Sequence, residues 1–158
     1  VGYGVAIPPG DITAEQLKNL VPHDSEVVVM SLTGRQIKSI LEQSIENFSA
    51  EDPSQKVGGM IQVSGVTFSY DPRKPRGKRV ENVTVAGKPL ESGRRYRVAT
   101  NSLLADGGHK YDDFKRGRDE QKKGKQYDMI ADWIKQRGSV ATPPTNRITK
   151  LAEQPGSK

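Results

Sequence analysis

A chain of 158 residues with a net charge of +6 has room for one domain with a hydrophobic core and little more. The absence of cysteine excludes disulfides, thiolate metal sites and cysteine nucleophiles, and two histidines without an acidic cluster argue against a complete metal site. With 33% hydrophobic and 28% charged residues, 16 glycines and 10 prolines, the composition is typical of a loop-rich protein with helices and strands. No apolar run approaches the roughly 20 residues of a membrane-spanning helix.

The chain begins at Val1 rather than at a methionine. We therefore expect it to be a processed or excised piece of a longer polypeptide.

A capping box predicts the first helix. Thr13 and Gln16 are spaced so that the side chain of each can bond the backbone amide of the other. The helix is expected from about Ala14 to Leu20, because Pro22 ends it. The β-branched run from Glu26 to Leu32 then predicts a strand.

The same device recurs at Thr33 and Gln36 and predicts a second helix of about 13 residues. Apolar residues follow at helical spacing, so we expect an amphipathic helix that covers a sheet. Its apolar stripe is Ile37, Ile40, Leu41, Ile45 and Phe48.

The segment from Met60 to Tyr70 alternates as a strand does, but its apolar residues change parity at Ser64 and Gly65. A bulge at Gly65 would return the apolar side chains to one face. The pattern therefore predicts one long bulged strand.

The second half of the chain predicts further strands and one more amphipathic helix, while the basic segments Arg73 to Arg79 and Lys122 to Lys125 are predicted to be loops. The expected elements are a strand from Val80 to Val85, a short segment from Lys88 to Leu90, a strand from Arg95 to Thr100, a helix beginning near Tyr127 and closed by Gly138, and a last strand from Asn146 to Leu151.

The loop from Leu103 to Phe114 follows a strand and contains Asp106, Gly107 and Gly108. Glycines that can adopt positive φ leave backbone amides open to a ligand, and loops on a strand scaffold often carry binding residues. The alternative is an ordinary turn, with Tyr111 and Phe114 in a satellite core.

Positive charge is concentrated between Arg73 and Lys125, which hold 16 of the 25 Lys and Arg residues but 7 of the 19 acids. This asymmetry is compatible with weak, salt-dependent binding of a polyanion. No recognition helix or RNA-binding signature accompanies it, so solvated loops are the simpler interpretation.

Six short motifs occur in a specific order and spacing. They are Gly10-Asp11-Ile12-Thr13, Leu20-Val21-Pro22, Gln62 to Asp71, Val83 to Leu90, Tyr96 to Asn101 and Leu104 to Gly108. Together, over about Gly2 to Leu151, they resemble the C-terminal domain of the 5'-nucleotidase family, which includes UDP-sugar hydrolases and 2',3'-cyclic phosphodiesterases.

The resemblance implies an α+β domain over residues 1–151, with a mixed sheet covered by a few amphipathic helices. Residues 152–158, which follow the last predicted strand, are expected to be a disordered tail. It implies a substrate-binding role in nucleotide catabolism, beside an N-terminal metallophosphoesterase domain that holds the divalent metal ions. It also implies a periplasmic, cell-wall or secreted location and no membrane partner. No cofactor is expected in this chain, and the chain by itself is expected to be inactive as a hydrolase.

The resemblance further implies a site in which two aromatic rings sandwich the base of the nucleotide or nucleoside. Tyr111 takes the place of one ring and His23 the place of the other. The remaining residues expected to line the site are Asn101, Asp106, Gly107 and Gly108.

Four positions depart from the family pattern, namely Gly4, where a phosphate-binding Arg is expected, His23, Lys110 and Gly117. They leave a second interpretation open, a degenerate non-catalytic module of the same fold that binds an anionic ligand or polymer. A domain from a related sulfur-compound hydrolase is a further alternative, against which the Asp106-Gly107-Gly108 loop argues.

Overall fold

The structure is a computed structural model that describes residues 6–23, 25–50, 52 and 56–152. Four helices and seven strands make up the regular structure of these ranges, with two short 3₁₀ turns at Gly108–Lys110 and Asp112–Arg116. In chain order the elements are α1 (Ala14–Leu20), β1 (Glu26–Thr33), α2 (Gly34–Ser49), β2 (Val66–Tyr70), β3 (Val80–Val85), β4 (Lys88–Pro89), β5 (Arg95–Asn101), α3 (Ser102–Ala105), β6 (Arg118–Lys125), α4 (Gln126–Arg137) and β7 (Ile148–Lys150).

Two sheets organise these elements. An antiparallel sheet has the order β5-β1-β6, and a mixed sheet has the order β4-β3-β2-β7, in which β7 runs parallel to β2. Sheets and helices occur together without a regular β-α-β alternation, so the predicted α+β class is confirmed.

Both predicted capping boxes are present. Thr13 accepts from the amide of Gln16 at 3.2 Å and Thr33 from that of Gln36 at 3.3 Å, and each glutamine accepts from the threonine's amide at 2.8 Å. These local bonds satisfy amides that a helix leaves unpaired at its start. They fix the first residue of α1 and α2 where the sequence predicted it.

Helix α2 packs one face against the core and differs from its predicted stripe at its last turn. Ser44 and Asn47 are buried at 0% and 1% exposure, whereas Phe48 is 50% exposed. The expectation that Phe48 completes the apolar face is therefore wrong. The buried polar pair takes its place because it bonds the loops that pass over the end of the helix.

The predicted long strand from Met60 to Tyr70 is wrong in its first half. Pairing begins only at Val66, and Gly65 has φ of 72° and accepts a hydrogen bond from Ala86 at 2.9 Å. The register irregularity lies further on, between Thr67 and Ser69. The change of parity in the sequence thus marks the start of the strand rather than a bulge within it.

The second basic segment is a strand, not a loop. Arg118–Lys125 forms β6 and pairs antiparallel with β1 through two register shifts. The sequence RDEQKKGK has no β-branched residue, and all of its residues except Gly124 are exposed. Backbone pairing to β1 alone makes this strand, which side-chain propensity could not reveal.

Helix α4 ends as predicted, because Gly138 caps it at φ of 71° and its amide bonds the carbonyl of Ile134. None of its residues is buried, and Trp133 is 48% exposed with the Arg137 guanidinium 4.7 Å from its ring centroid. Among the helices of the described residues, none is long and apolar enough to cross a membrane. The predicted domain limit and the disordered tail stay predictions, since residues 153–158 lie outside the described ranges.

Candidate functional site

The loop after β5 packs against the C-terminal end of α2. The ring of Tyr111 is 3% exposed and meets Phe114 edge to face, with their centroids 6.2 Å apart. Both rings belong to the main hydrophobic core. The Tyr111 ring therefore presents no open face in this structure, and its contact with a base stays a prediction.

The hydroxyl of Tyr111 is buried beside polar groups of α2 and makes no hydrogen bond within the described residues. Burial raises the pKa of this phenol above its usual value near 10, and this effect outweighs the lowering of the pKa by the nearby polar side chains of Ser44 and Asn47. Both neighbours have other partners. Ser44 accepts from the Ile61 amide at 2.8 Å, and the Asn47 amide nitrogen donates to the His109 carbonyl at 2.8 Å. The polar end of α2 thus ties two loops together over the Tyr111 ring.

The other predicted residues of this loop have structural partners. Asn101 caps α3 by accepting from the Leu104 amide at 3.0 Å, and the amide of Gly107 donates to the Leu104 carbonyl at 2.9 Å. A Cβ on Gly108 would lie 2.6 Å from the Leu103 carbonyl oxygen, so the backbone is too close for any larger residue. Because the Gly107 amide already donates to the Leu104 carbonyl, it is not open to a ligand in this conformation.

Asp106 ends α3 with an exposed side chain, and its own amide bonds the Ser102 carbonyl at 3.0 Å. Gly117, where the family pattern has an acid, lies against the core. A Cβ there would be 2.4 Å from the sulfur of Met30 and 3.1 Å from the Phe114 carbonyl. This departure from the pattern therefore accompanies close packing of the loop on β1. Gly4 lies outside the described residues.

His23 lies in a different place, an open cleft at the start of β1. The cleft encloses about 430 Å³ between the end of α1 and the start of α4. It is lined by Lys18, Val21, Pro22, His23, Lys125, Tyr127 and Asp128, a set we call the His23 cleft. The structure thus brings His23 together with a second aromatic ring, Tyr127, and not with Tyr111 or the other four predicted residues.

Tyr127 is half-buried in the first turn of α4 and separates the His23 cleft from a smaller one of about 230 Å³ between α1 and α4. Its hydroxyl donates to the Ala14 carbonyl at 3.5 Å, and the residue lines both clefts. The sequence did not identify this residue as part of a site, because its spacing placed it on the apolar face of the amphipathic helix predicted to begin near Tyr127. The signal that could have revealed it is the Lys125-x-Tyr127-Asp128 cluster at a helix start.

The side chains that line the His23 cleft include groups that could contact the parts of a nucleotide. Two rings can contact a base, the ammonium groups of Lys18 and Lys125 can bind phosphate, and the carboxylate of Asp128 can accept hydrogen bonds from a sugar. Across the described residues, no group of three or more His, Asp or Glu side chains could hold a metal ion.

Comparison with known proteins agrees with this architecture. The model of the family described as 5'-nucleotidase, C-terminal domain, matches residues 2–116, and the chain belongs to that family. It is 28% identical over 148 residues to the trifunctional nucleotide phosphoesterase protein YfkN of Bacillus subtilis (strain 168). It is also 28% identical over 151 residues to a snake venom 5'-nucleotidase of Macrovipera lebetinus.

A crystal structure of a 5'-nucleotidase precursor from Thermus thermophilus has the same fold, with a TM-score of 0.83 and 28% identity. The alignments cover 90% of this chain for both sequence relatives and 97% for the structure. By contrast, the chain spans 10% of the length of YfkN, 36% of the venom enzyme and 30% of the Thermus protein. The family prediction is confirmed, and the similarity concerns one part of much longer proteins.

Proposed function

We propose that this domain binds the nucleoside part of a nucleotide whose phosphate ester is hydrolysed by a metal-bearing domain of the same polypeptide. The observation that carries the proposal is the His23 cleft. His23 stands where the resemblance places a stacking ring, and the cleft adds the Tyr127 ring and two lysines. Membership in the 5'-nucleotidase C-terminal domain family supports the same substrate class.

In this proposal the base lies against His23 and Tyr127, while Lys18 and Lys125 attract the phosphate. Stacking on an aromatic ring tolerates every base, because each base has a π face. The site would therefore discriminate weakly among bases. Tyr111 acts as a core residue that supports the neighbouring loop.

The catalytic metal ions belong, in this proposal, to the N-terminal domain, and the location is the periplasm, the cell wall or the outside of the cell. The venom origin of one relative supports export. The 158-residue chain alone is expected to show no turnover of a nucleoside monophosphate with added Mn²⁺. Turnover that survives repurification would contradict this division of labour.

Calorimetric titration of the chain with adenosine and AMP tests the binding site. Tyr127→Ala is expected to weaken adenosine binding by about 1 to 3 kcal/mol, the usual contribution of one stacked base. Trp133→Ala is the matched control, because Trp133 is a half-exposed aromatic residue of the same helix outside the cleft.

The preference for AMP over adenosine reports on the phosphate side of the cleft. Lys18→Gln is expected to reduce that preference, whereas Lys38→Gln, an exposed lysine on α2, should leave it unchanged. No binding by the unmodified chain at millimolar ligand, or equal losses in Tyr127→Ala and Trp133→Ala, would favour the second candidate. That candidate is the non-catalytic module, and the burial of Tyr111 is the observation on its side.

A further inference from the structure

Three arginines form a row on the open face of the antiparallel sheet. In the register of β1 with its neighbours, Ser31 lies opposite Arg97 of β5 on one side and Arg118 of β6 on the other. Arg95 lies opposite Thr33, two residues further along the same strand. Directly opposite residues of an antiparallel pair point to the same face of the sheet. We call Arg95, Arg97 and Arg118 the arginine row.

The arginine row points away from the core. Met30 and Leu32, which flank Ser31 in β1, are buried at 1% and 0% exposure. Because side chains alternate between the two faces of a strand, Ser31 and the residues opposite it face the other way. On β5 the same alternation holds, since Tyr96 and Val98 pack against the core on either side of Arg97.

The guanidinium groups of the row are available to a partner. All three arginines are exposed, and none forms an ion pair with an acid of the described residues. The Arg95 Nη1 donates to the Ser31 carbonyl at 3.3 Å, which holds that side chain across β1 towards Arg97 and Arg118. Three positive charges thus lie over one small area of the sheet.

The basic segment from Arg73 to Arg79, the strongest run of charge in the sequence, is different. Its residues bond acids of their own neighbourhood, so that much of its charge is compensated. Three ion pairs do this, namely Arg73–Asp71 at 2.8 Å, Lys74–Glu81 and Arg79–Glu46.

We propose that the arginine row binds the sulfate groups of a linear sulfated polysaccharide. Arginines two apart on one strand are about 7 Å apart, and residues on strands either side of β1 are about 10 Å apart. A polymer with repeated anionic groups can engage all three at once. Guanidinium is planar and weakly hydrated, and it binds tetrahedral oxyanions in a bidentate fashion.

The surroundings of the row favour this polymer over a single-stranded nucleic acid and over an acidic protein. A protein that binds single-stranded nucleic acid needs exposed aromatic rings for stacking, and Tyr96, the aromatic residue of β5, faces the core. A protein partner would need an apolar anchor at the centre of the contact. Here the centre of the row is Ser31, and the half-buried Val27 and Val29 lie towards the other end of β1.

The test is fluorescence anisotropy of a labelled heparin octasaccharide with the 158-residue chain. The double variant Arg97→Gln, Arg118→Gln is compared with Arg76→Gln, Lys78→Gln, which removes the same charge from the other basic segment. The row variant is expected to bind about tenfold or more weakly, which corresponds to about 1.4 kcal/mol or more. The control should lose less than about threefold, since long-range charge at an exposed surface is screened by salt.

The salt dependence of heparin binding and the preference between heparin and a nucleic acid give two further tests. Between about 50 and 200 mM NaCl, the logarithm of the binding constant falls linearly with the logarithm of the salt concentration. The magnitude of this slope should be smaller by about two in the row variant, because two contacts that release counterions are gone. Arg97→Lys, Arg118→Lys should recover part of the affinity, since charge returns without the bidentate fork. Equal losses in the two Gln variants would show a net-charge effect and overturn the proposal. So would tighter binding of labelled oligothymidine than of heparin, or no binding of heparin at low salt.

Discussion

Two tyrosines of this chain, Tyr111 and Tyr127, follow basic or glycine-containing segments and have opposite environments. The Tyr111 ring is 3% exposed in the main core, whereas the Tyr127 ring lines an open cleft beside His23. A stacking ring must present a face to its ligand. Burial, and not the residue type after the loop, therefore decides whether truncation of an aromatic residue affects folding or binding.

The difference between the two has a local cause. Tyr111 is enclosed because Ser44 and Asn47 on α2 bond the two loops that pass over it. Tyr127 stands on α4, a helix with no fully buried residue, where its hydroxyl is held by the Ala14 carbonyl. One ring is covered by loops tied to a helix, and the other forms part of a helix surface.

The largest effect is expected from Tyr111→Ala. Removing a large aromatic side chain from a core leaves a cavity, so the free energy of unfolding should fall by about 3 kcal/mol or more. Urea denaturation followed by circular dichroism measures this loss. Tyr127→Ala, measured in parallel, should lose clearly less stability. A Tyr111→Ala protein of unchanged stability with weakened nucleoside binding would reverse the comparison and restore Tyr111 as the stacking ring.

A smaller effect, in binding rather than folding, is expected from His23→Phe. Phenylalanine offers a larger apolar face than imidazole, so adenosine affinity should rise by about 1 kcal/mol. The side chain is exposed, and the free energy of unfolding should change by less than about 0.5 kcal/mol. Unchanged or weaker adenosine binding would show that the base does not lie against residue 23.

The smallest effect is an alkaline loss of stability carried by Tyr111. Burial raises the pKa of its phenol in the folded state, so above the ordinary value near pH 10 the unfolded state loses the proton first. This component of stability is fully present at neutral pH and decreases as the pH rises above about 10. Urea denaturation between about pH 8 and 11 should show it as a difference from Tyr111→Phe.

The stability of Tyr111→Phe at neutral pH shows what the hydroxyl contributes before it ionises. The hydroxyl has no hydrogen-bond partner within the described residues, so its removal should change the free energy of unfolding by less than about 1 kcal/mol. A parallel decline of both proteins above about pH 10 would assign the alkaline effect to other groups. A large neutral-pH loss in the Phe variant would show that the hydroxyl is bonded.

Residues that act on their near neighbours in the chain were predicted well. The two capping boxes, the β-branched run of β1 and the Gly138 cap depend on contacts within a few residues, and each is present as predicted. The family was also predictable, because the order of several weak motifs is specific even when each motif is not. The candidate site was predicted only in part, since His23 lines the cleft but Tyr127 was assigned to an apolar helix stripe.

The helices and strands whose ends depend on short-range bonds could be predicted from the amino-acid sequence, and so could the family. Strand β6, the burial of Tyr111 and the alignment of the arginine row depend instead on tertiary contacts. The eight residues of β6 become a strand because β1 offers unpaired backbone groups, and that pairing places Arg118 opposite Ser31, across β1 from Arg97. Tyr111 is buried because Ser44 and Asn47, more than 60 positions earlier in the chain, bond the loops around it. Such contacts join residues far apart in sequence, so no local pattern records them.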